Sequence, residues 1–195
     1  MFRECDIDYA NEAKPDYIGF IVMFPKSHRN IDLETALRLK SRLDPDIKSV
    51  AVSVDAPHEK FAEFALSGAA DILQCHGNED AEYIAKLRKL TGVPIFKAVK
   101  VASAADIQAA DKLGADFLLL DSGTGSGKLF DHSLIPRDIK TPFFLAGGLT
   151  PENVKEAAQK VNPYGVDMSS GIETNKLKDK TKMLAAVQAV RGFSK

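Results

Sequence analysis

The sequence predicts an α/β protein built on a parallel sheet, and three observations carry the prediction. Short β-rich runs alternate with helical segments along the whole chain. Most of the runs are almost continuously apolar, as strands covered on both faces are. The strand–helix unit recurs about every 25 residues, the spacing of parallel crossovers.

The elements follow in order. Asp6 to Lys14 reads as an opening helix because Ile7, Ala10 and Ala13 share a face and Pro15-Asp16 turns the chain, although Cys5, Ile7 and Tyr9 also alternate as a strand would. Seven strands are expected at Tyr17–Val22, Ser49–Asp55, Asp71–Gln74, Pro94–Val101, Ala115–Asp121, Pro142–Ala146 and Gly165–Ser169. Asp32 caps a helix with Leu33, Ala36, Leu37 and Leu43 inward. A second runs from Glu79 with Ala81, Ile84 and Ala85 inward, and a third follows a Ser103/Asp106 capping box. Thr150-Pro151-Glu152 opens a helix carrying Val154, Ala157, Ala158 and Val161. The last starts at Asp179 and turns Met183, Leu184 and Val187 inward.

Such a chain is a doubly wound sheet or a (β/α)₈ TIM barrel. No GxGxxG follows the first strand, which argues against the dinucleotide-binding version. Seven strands behind an opening helix fit the barrel with strand 1 missing from this chain, as a single domain over 1–195. The facing edges of the strands flanking that gap would then be bare unless another segment fills it.

Composition narrows the function. With 26 Lys+Arg against 27 Asp+Glu the net charge is -1, which removes the electrostatic handle of a non-specific nucleic-acid binder. No apolar run approaches the length of a membrane span, and the acidic N-terminus is unlike a secretory signal, so a cytoplasmic protein without a membrane partner is expected. Cys5 and Cys75 have no CxxC spacing and offer neither a disulfide framework nor a zinc site. The four histidines are too scattered for a metal set.

In parallel α/β folds ligands bind where strands end. Those ends carry Arg29, Gln74 and His76, Lys97 and Lys100, Asp121, Gly147-Gly148, and Ser169-Ser170-Gly171. Small residues in the last two loops let backbone N–H groups approach an anion, so a phosphate site is expected there. Asp121 is a candidate general acid or a loop brace, and Arg29 a candidate carboxylate partner or a surface charge. His76 is a candidate site residue or a packing one, and Lys97 a Schiff-base lysine or a charge lining the mouth. Gly123–Lys128 resembles a Walker A loop, but Leu129 stands where its hydroxyl belongs, so the segment reads as a flexible active-site loop.

The segments Pro15–Phe20, Ser27-His28-Arg29, Gln74–Gly77, Leu119-Leu120-Asp121, Leu145–Val154 and Gly165–Glu173, in this order, resemble the phosphoribosylanthranilate isomerases of tryptophan biosynthesis along the entire chain. The resemblance implies an Amadori rearrangement of a phosphoribosyl substrate without cofactor or metal, in a monomer or homodimer. It implies Asp121 as general acid, Arg29 at the reacting centre or the anthranilate carboxylate, His76 as a wall residue, and Gly147, Gly148, Ser170 and Gly171 as the phosphate loops. The family's general base is a Cys in a Lys-x-Cys-Gly motif on strand 1, which these 195 residues do not contain. Cys5 falls at the start of the first helix in this register and is no substitute, so this chain is expected to be weakly active or inactive. His132 stands where relatives often carry Trp. A non-catalytic phosphate-binding barrel and another phosphosugar enzyme are the alternative readings.

Overall fold

The structure is a computed structural model that describes residues 1–123 and 130–192. Most of the Gly123–Lys128 segment therefore lies outside the described residues. The described chain divides into two compact units, Met1–Lys97 with Leu113–Asp116, and Ala98–Lys112 with Phe117–Lys195.

The first unit contains α1 (Glu4–Ala13), β1 (Tyr17–Val22), β2 (Asn30–Ile31), α2 (Leu33–Lys40), β3 (Lys48–Ser53), α3 (His58–Leu66), β4 (Ile72–Cys75) and α4 (Ala81–Thr91). β5 (Ile95–Lys100) starts in this unit and ends in the second. The second unit continues with α5 (Ala104–Ala110), β6 (Phe117–Asp121), β7 (Phe143–Leu145), α6 (Val154–Val161), β8 (Gly165–Val166), a hairpin of β9 (Glu173–Thr174) and β10 (Leu177–Lys178), and α7 (Lys180–Arg191). The fold is α/β, with an eight-stranded sheet in the order β2-β1-β3-β4-β5-β6-β7-β8. β1 pairs in parallel with β2 and β3, β3 with β4, β4 with β5, β6 with β7, and β7 with β8.

The eighth strand corrects the expected seven. Asn30–Ile31 pairs with Ile21 and Val22 on the edge of β1 away from β3. On the same strand the Met1 ammonium donates to the Gly19 carbonyl. β1 is therefore paired on this side at Ile21 and Val22. Two residues are too few for a periodic signal, so β2 could not be read from the pattern.

Burial explains the local choices. β4 and β7 are buried throughout and β5 at every residue but Lys100, whereas β1 alternates half-buried and buried residues. Phe20, Leu73, Ile84, Leu87 and Ile95 are among the fully buried side chains of the first unit, and Ile107, Leu118 and Leu120 among those of the second. Asp32, Asp80 and Asp179 cap α2, α4 and α7 through their side chains, and Ser103 with Asp106 forms the expected box on α5. Several inward faces differ from expectation. Leu37, Ala81 and Ala85 are exposed, while Leu39 and Leu87 are buried in their place. α6 starts at Val154 behind an Asn153 cap, since Thr150–Asn153 forms a turn closed by Asn153 Oδ1 accepting from Thr150 N.

Carboxylates fasten the amino ends of several strands. Asp71 Oδ2 accepts from Ser49 N at 2.7 Å and pairs with Lys40. Asp116 Oδ2 accepts from Ile95 N at 2.7 Å and from Arg88. Asp111 takes the N–H groups of Lys140 and Thr141 ahead of β7.

Candidate active site

In the second unit, Asp121 is the last residue of β6 and half-buried. Its Oδ1 accepts from Gly123 N at 2.9 Å and lies 3.4 Å from the Ser122 hydroxyl. Both contacts fall on the same carboxylate oxygen. Gly147 comes off β7 with φ +82°, and a Cβ there would sit 2.6 Å from Asp121 Oδ1 and 2.8 Å from Ser122 N. Gly148 follows with φ +68°. Only glycine provides both the left-handed backbone and the missing side chain that this approach needs.

The loop after β8 packs against the loop after β7. A Cβ on Gly171 would lie 1.9 Å from the Leu149 carbonyl oxygen. Ser170 and Gly171 form a short 3₁₀ turn, with Ser170 exposed. Asp121 is thus brought against Gly147, and Gly171 against Leu149 of the same β7 loop, within one unit. Asn153 locks the first loop from behind, donating through Nδ2 to Gly148 O at 3.0 Å.

Arg29 and His76 belong to the other unit, at the carboxyl ends of β1 and β4. Asn30 Oδ1 accepts from Phe24 N at 2.7 Å and closes the loop that carries Arg29. His76 is exposed; its backbone N–H donates to Ser53 O at 2.8 Å, and its Nδ1 lies 3.1 Å from Gln74 Nε2.

Lys97 is not an exposed charge at the mouth. Its side chain is buried and donates to Gly77 O at 2.6 Å and to Glu79 Oε2 at 3.1 Å. Glu79 in turn accepts from the Asp55 and Gly77 N–H groups. The pair therefore fastens the loop that holds His76. Glu79, expected at the start of a helix, lies ahead of the Asp80 cap of α4, and a lone acid in a polar loop carries no signal of its buried partner. A second such pair, Glu173 with Lys178, was likewise missed. Burial pushes the Cys75 thiol up to about 12, which makes it a poor base, and Cys5 sits in the first turn of α1. Among the described residues no group of His, Cys, Asp and Glu is placed to hold a metal. No described helix is long and apolar enough to cross a membrane.

A parallel α/β fold with an acid and two glycine loops gathered at the carboxyl ends of its strands belongs to the class of strand-end α/β enzymes. Comparison supplies the particular family. The family model "N-(5'phosphoribosyl)anthranilate (PRA) isomerase" matches residues 3–189, so the chain belongs to that isomerase family, whose members act in tryptophan biosynthesis. It is 43% identical to the N-(5'-phosphoribosyl)anthranilate isomerase of Endomicrobium trichonymphae over 98% of this chain and 95% of that protein. Against the Thermotoga maritima phosphoribosyl anthranilate isomerase structure the TM-score is 0.89 at 33% identity, covering 99% of this chain and 96% of that one. A phosphoribosyl anthranilate isomerase solved with reduced 1-(o-carboxyphenylamino)-1-deoxyribulose 5-phosphate aligns at TM-score 0.87 and 32% identity, over 99% and 96% of the two chains.

Proposed function

We infer that this chain handles N-(5'-phosphoribosyl)anthranilate and that its strand-end residues carry the acid half of an Amadori rearrangement. The observation behind this reading is the Asp121–Gly147 contact, with the Gly171 loop beside it. In this reading the loops of Gly147-Gly148 and Ser170-Gly171 hold the phosphate through backbone N–H groups. Asp121 protonates the ribose ring oxygen as the ring opens, and Oδ2 carries that proton because the recorded bonds occupy Oδ1. Arg29 and His76 take the roles that the family resemblance gives them, at the reacting centre or the anthranilate carboxylate and as a wall. The same reading makes residues 1–195 a single barrel domain in which the strand bearing the base is not represented. It works in the cytoplasm as a monomer or homodimer, without cofactor, metal, nucleic-acid or membrane partner. One related structure is described as monomers generated from a dimeric Thermotoga maritima enzyme.

Steady-state conversion of N-(5'-phosphoribosyl)anthranilate tests the reading. A positioned base is worth about 10²–10⁴ in rate. The 195-residue chain is therefore expected to be slow, and a chain extended by a strand containing Lys-x-Cys-Gly to recover that factor. No turnover by the extended chain would overturn the assignment.

A further inference from the structure

We propose that Lys178 and Glu173 are positioning residues that set the geometry of the anion-binding loop after β8; the proposal rests on the phosphate reading of that loop. The pair sits on the β9–β10 hairpin, where Lys178 and Glu173 are direct cross-strand partners. Asn175 and Lys176 turn the hairpin at φ +52° and +64°, the left-handed pair that a tight two-residue turn needs. Each side chain is about 5% exposed, and Lys178 Nζ lies 2.9 Å from Glu173 Oε1. The same ammonium donates to Ser169 O at 2.8 Å.

Ser169 is the residue from which the Ser170–Ile172 turn starts. Peptide planarity ties the direction of its carbonyl to that of the Ser170 N–H, which points the opposite way. An ammonium that holds the Ser169 carbonyl inward therefore turns the Ser170 N–H outward, toward the exposed side where Ser170 lies. Gly171 is fixed from the other side by its contact with Leu149 O. Lys182 holds the far end of the brace, donating to Glu173 O at 2.7 Å. The cation does not itself reach the anion. Its charge is set against Glu173, and its effect on the ligand passes through one peptide group.

Titrating inorganic phosphate into ¹⁵N-labelled full chain and following the Ser170, Gly171, Gly147 and Gly148 amide peaks tests this. In the parent, all four amides are expected to shift on binding. In E173Q/K178M, which removes both charges together and so leaves no buried ion alone, phosphate is expected to bind about tenfold more weakly, because the Ser170 N–H is no longer held toward the anion. The Ser170 peak should also move in the ligand-free spectrum, while the Gly147 and Gly148 peaks stay in place. Glu173→Gln alone keeps the Lys178–Ser169 bond and should give a smaller affinity loss of about threefold, although it lowers stability by leaving the buried ammonium without its counter-ion. Lys178→Arg, which retains a cationic donor, should restore most of the affinity and the Ser170 peak position.

Parent-like affinity and an unmoved Ser170 peak in both E173Q and E173Q/K178M would overturn the proposal. So would equal weakening in Lys178→Arg. If the double variant does not fold, Glu173→Gln and Lys178→Arg decide it by the same criteria. A parent whose Ser170 and Gly171 amides ignore phosphate overturns the phosphate reading itself, and the brace with it; parent binding unaffected by the variants overturns the brace alone.

Discussion

Asp121 and Gly147 exclude each other's side chains: the carboxylate oxygen stands 2.6 Å from where a Gly147 methyl would lie. The acid and the first glycine loop are therefore one steric unit. Replacing Gly147 by Ala carries two penalties, the left-handed backbone at φ +82° and the collision. The backbone penalty alone is about 1–2 kcal/mol. Urea denaturation should register at least that loss, with phosphate affinity falling alongside. A variant as stable as the parent would show that the loop relaxes freely.

Asp121→Asn keeps the shape of the side chain and its bond from Gly123 N but cannot deliver a proton. Turnover, measured in a chain that also carries the base, should fall by about 10²–10⁴. Phosphate binding should change little, because the phosphate loops are left intact. Retained turnover would move the acid elsewhere.

The Lys97–Glu79 pair is buried, and removing one partner leaves the other charge stranded. Lys97→Met should cost about 3–5 kcal/mol, and E79Q/K97M less, since it strands no charge although one of the Asp55 and Gly77 N–H groups loses its acceptor. A double-mutant cycle from denaturant midpoints reads the coupling directly. Additive losses would show that the pair contributes no more than two separate side chains.

His132 is buried beside Phe130, and its Nε2 has no hydrogen-bond partner among the described residues. Burial holds its pKa below the ordinary value, Lys160 pushes it the same way, and Asp131 opposes them. The unfolded chain therefore takes up a proton near pH 6.5 that the folded chain refuses. Stability from this group is complete above that pH and is lost as pH falls from there toward the lowered value. Unfolding midpoints between pH 7.5 and 5.5 should drop less steeply in His132→Phe than in the parent.

Burial of Cys75 should leave it unreactive toward iodoacetamide at pH 8 in the native chain, since its thiol titrates at about 12. Mass spectrometry of the alkylated protein checks this. Rapid labelling of Cys75 would show that the loop around it opens.

Much of this architecture was legible because strands buried on both faces write continuous apolar runs and helix caps write short polar signatures. Asp32, Asp179 and the Ser103/Asp106 box were read correctly on that ground. Asp121, Gly147 and Gly171 were legible as strand-end positions, and the approach of Gly147 to Asp121 needed coordinates. Other features were hidden for physical reasons. β2 is two residues long. Leu37 and Leu39 are both leucines on one short helix, and the choice between them depends on the helix's rotation against the sheet. Glu79, Lys97, Glu173 and Lys178 look like surface charges in a sequence because nothing local marks their distant partners.

The aspartates beneath the sheet have an evolutionary consequence. Asp71, Asp111 and Asp116 anchor strand register at the amino ends of β3, β7 and β5, each within its own unit. Substitutions at the carboxyl ends of the same strands therefore leave these footings untouched, so loops there can drift in sequence before the sheet forfeits its foundation.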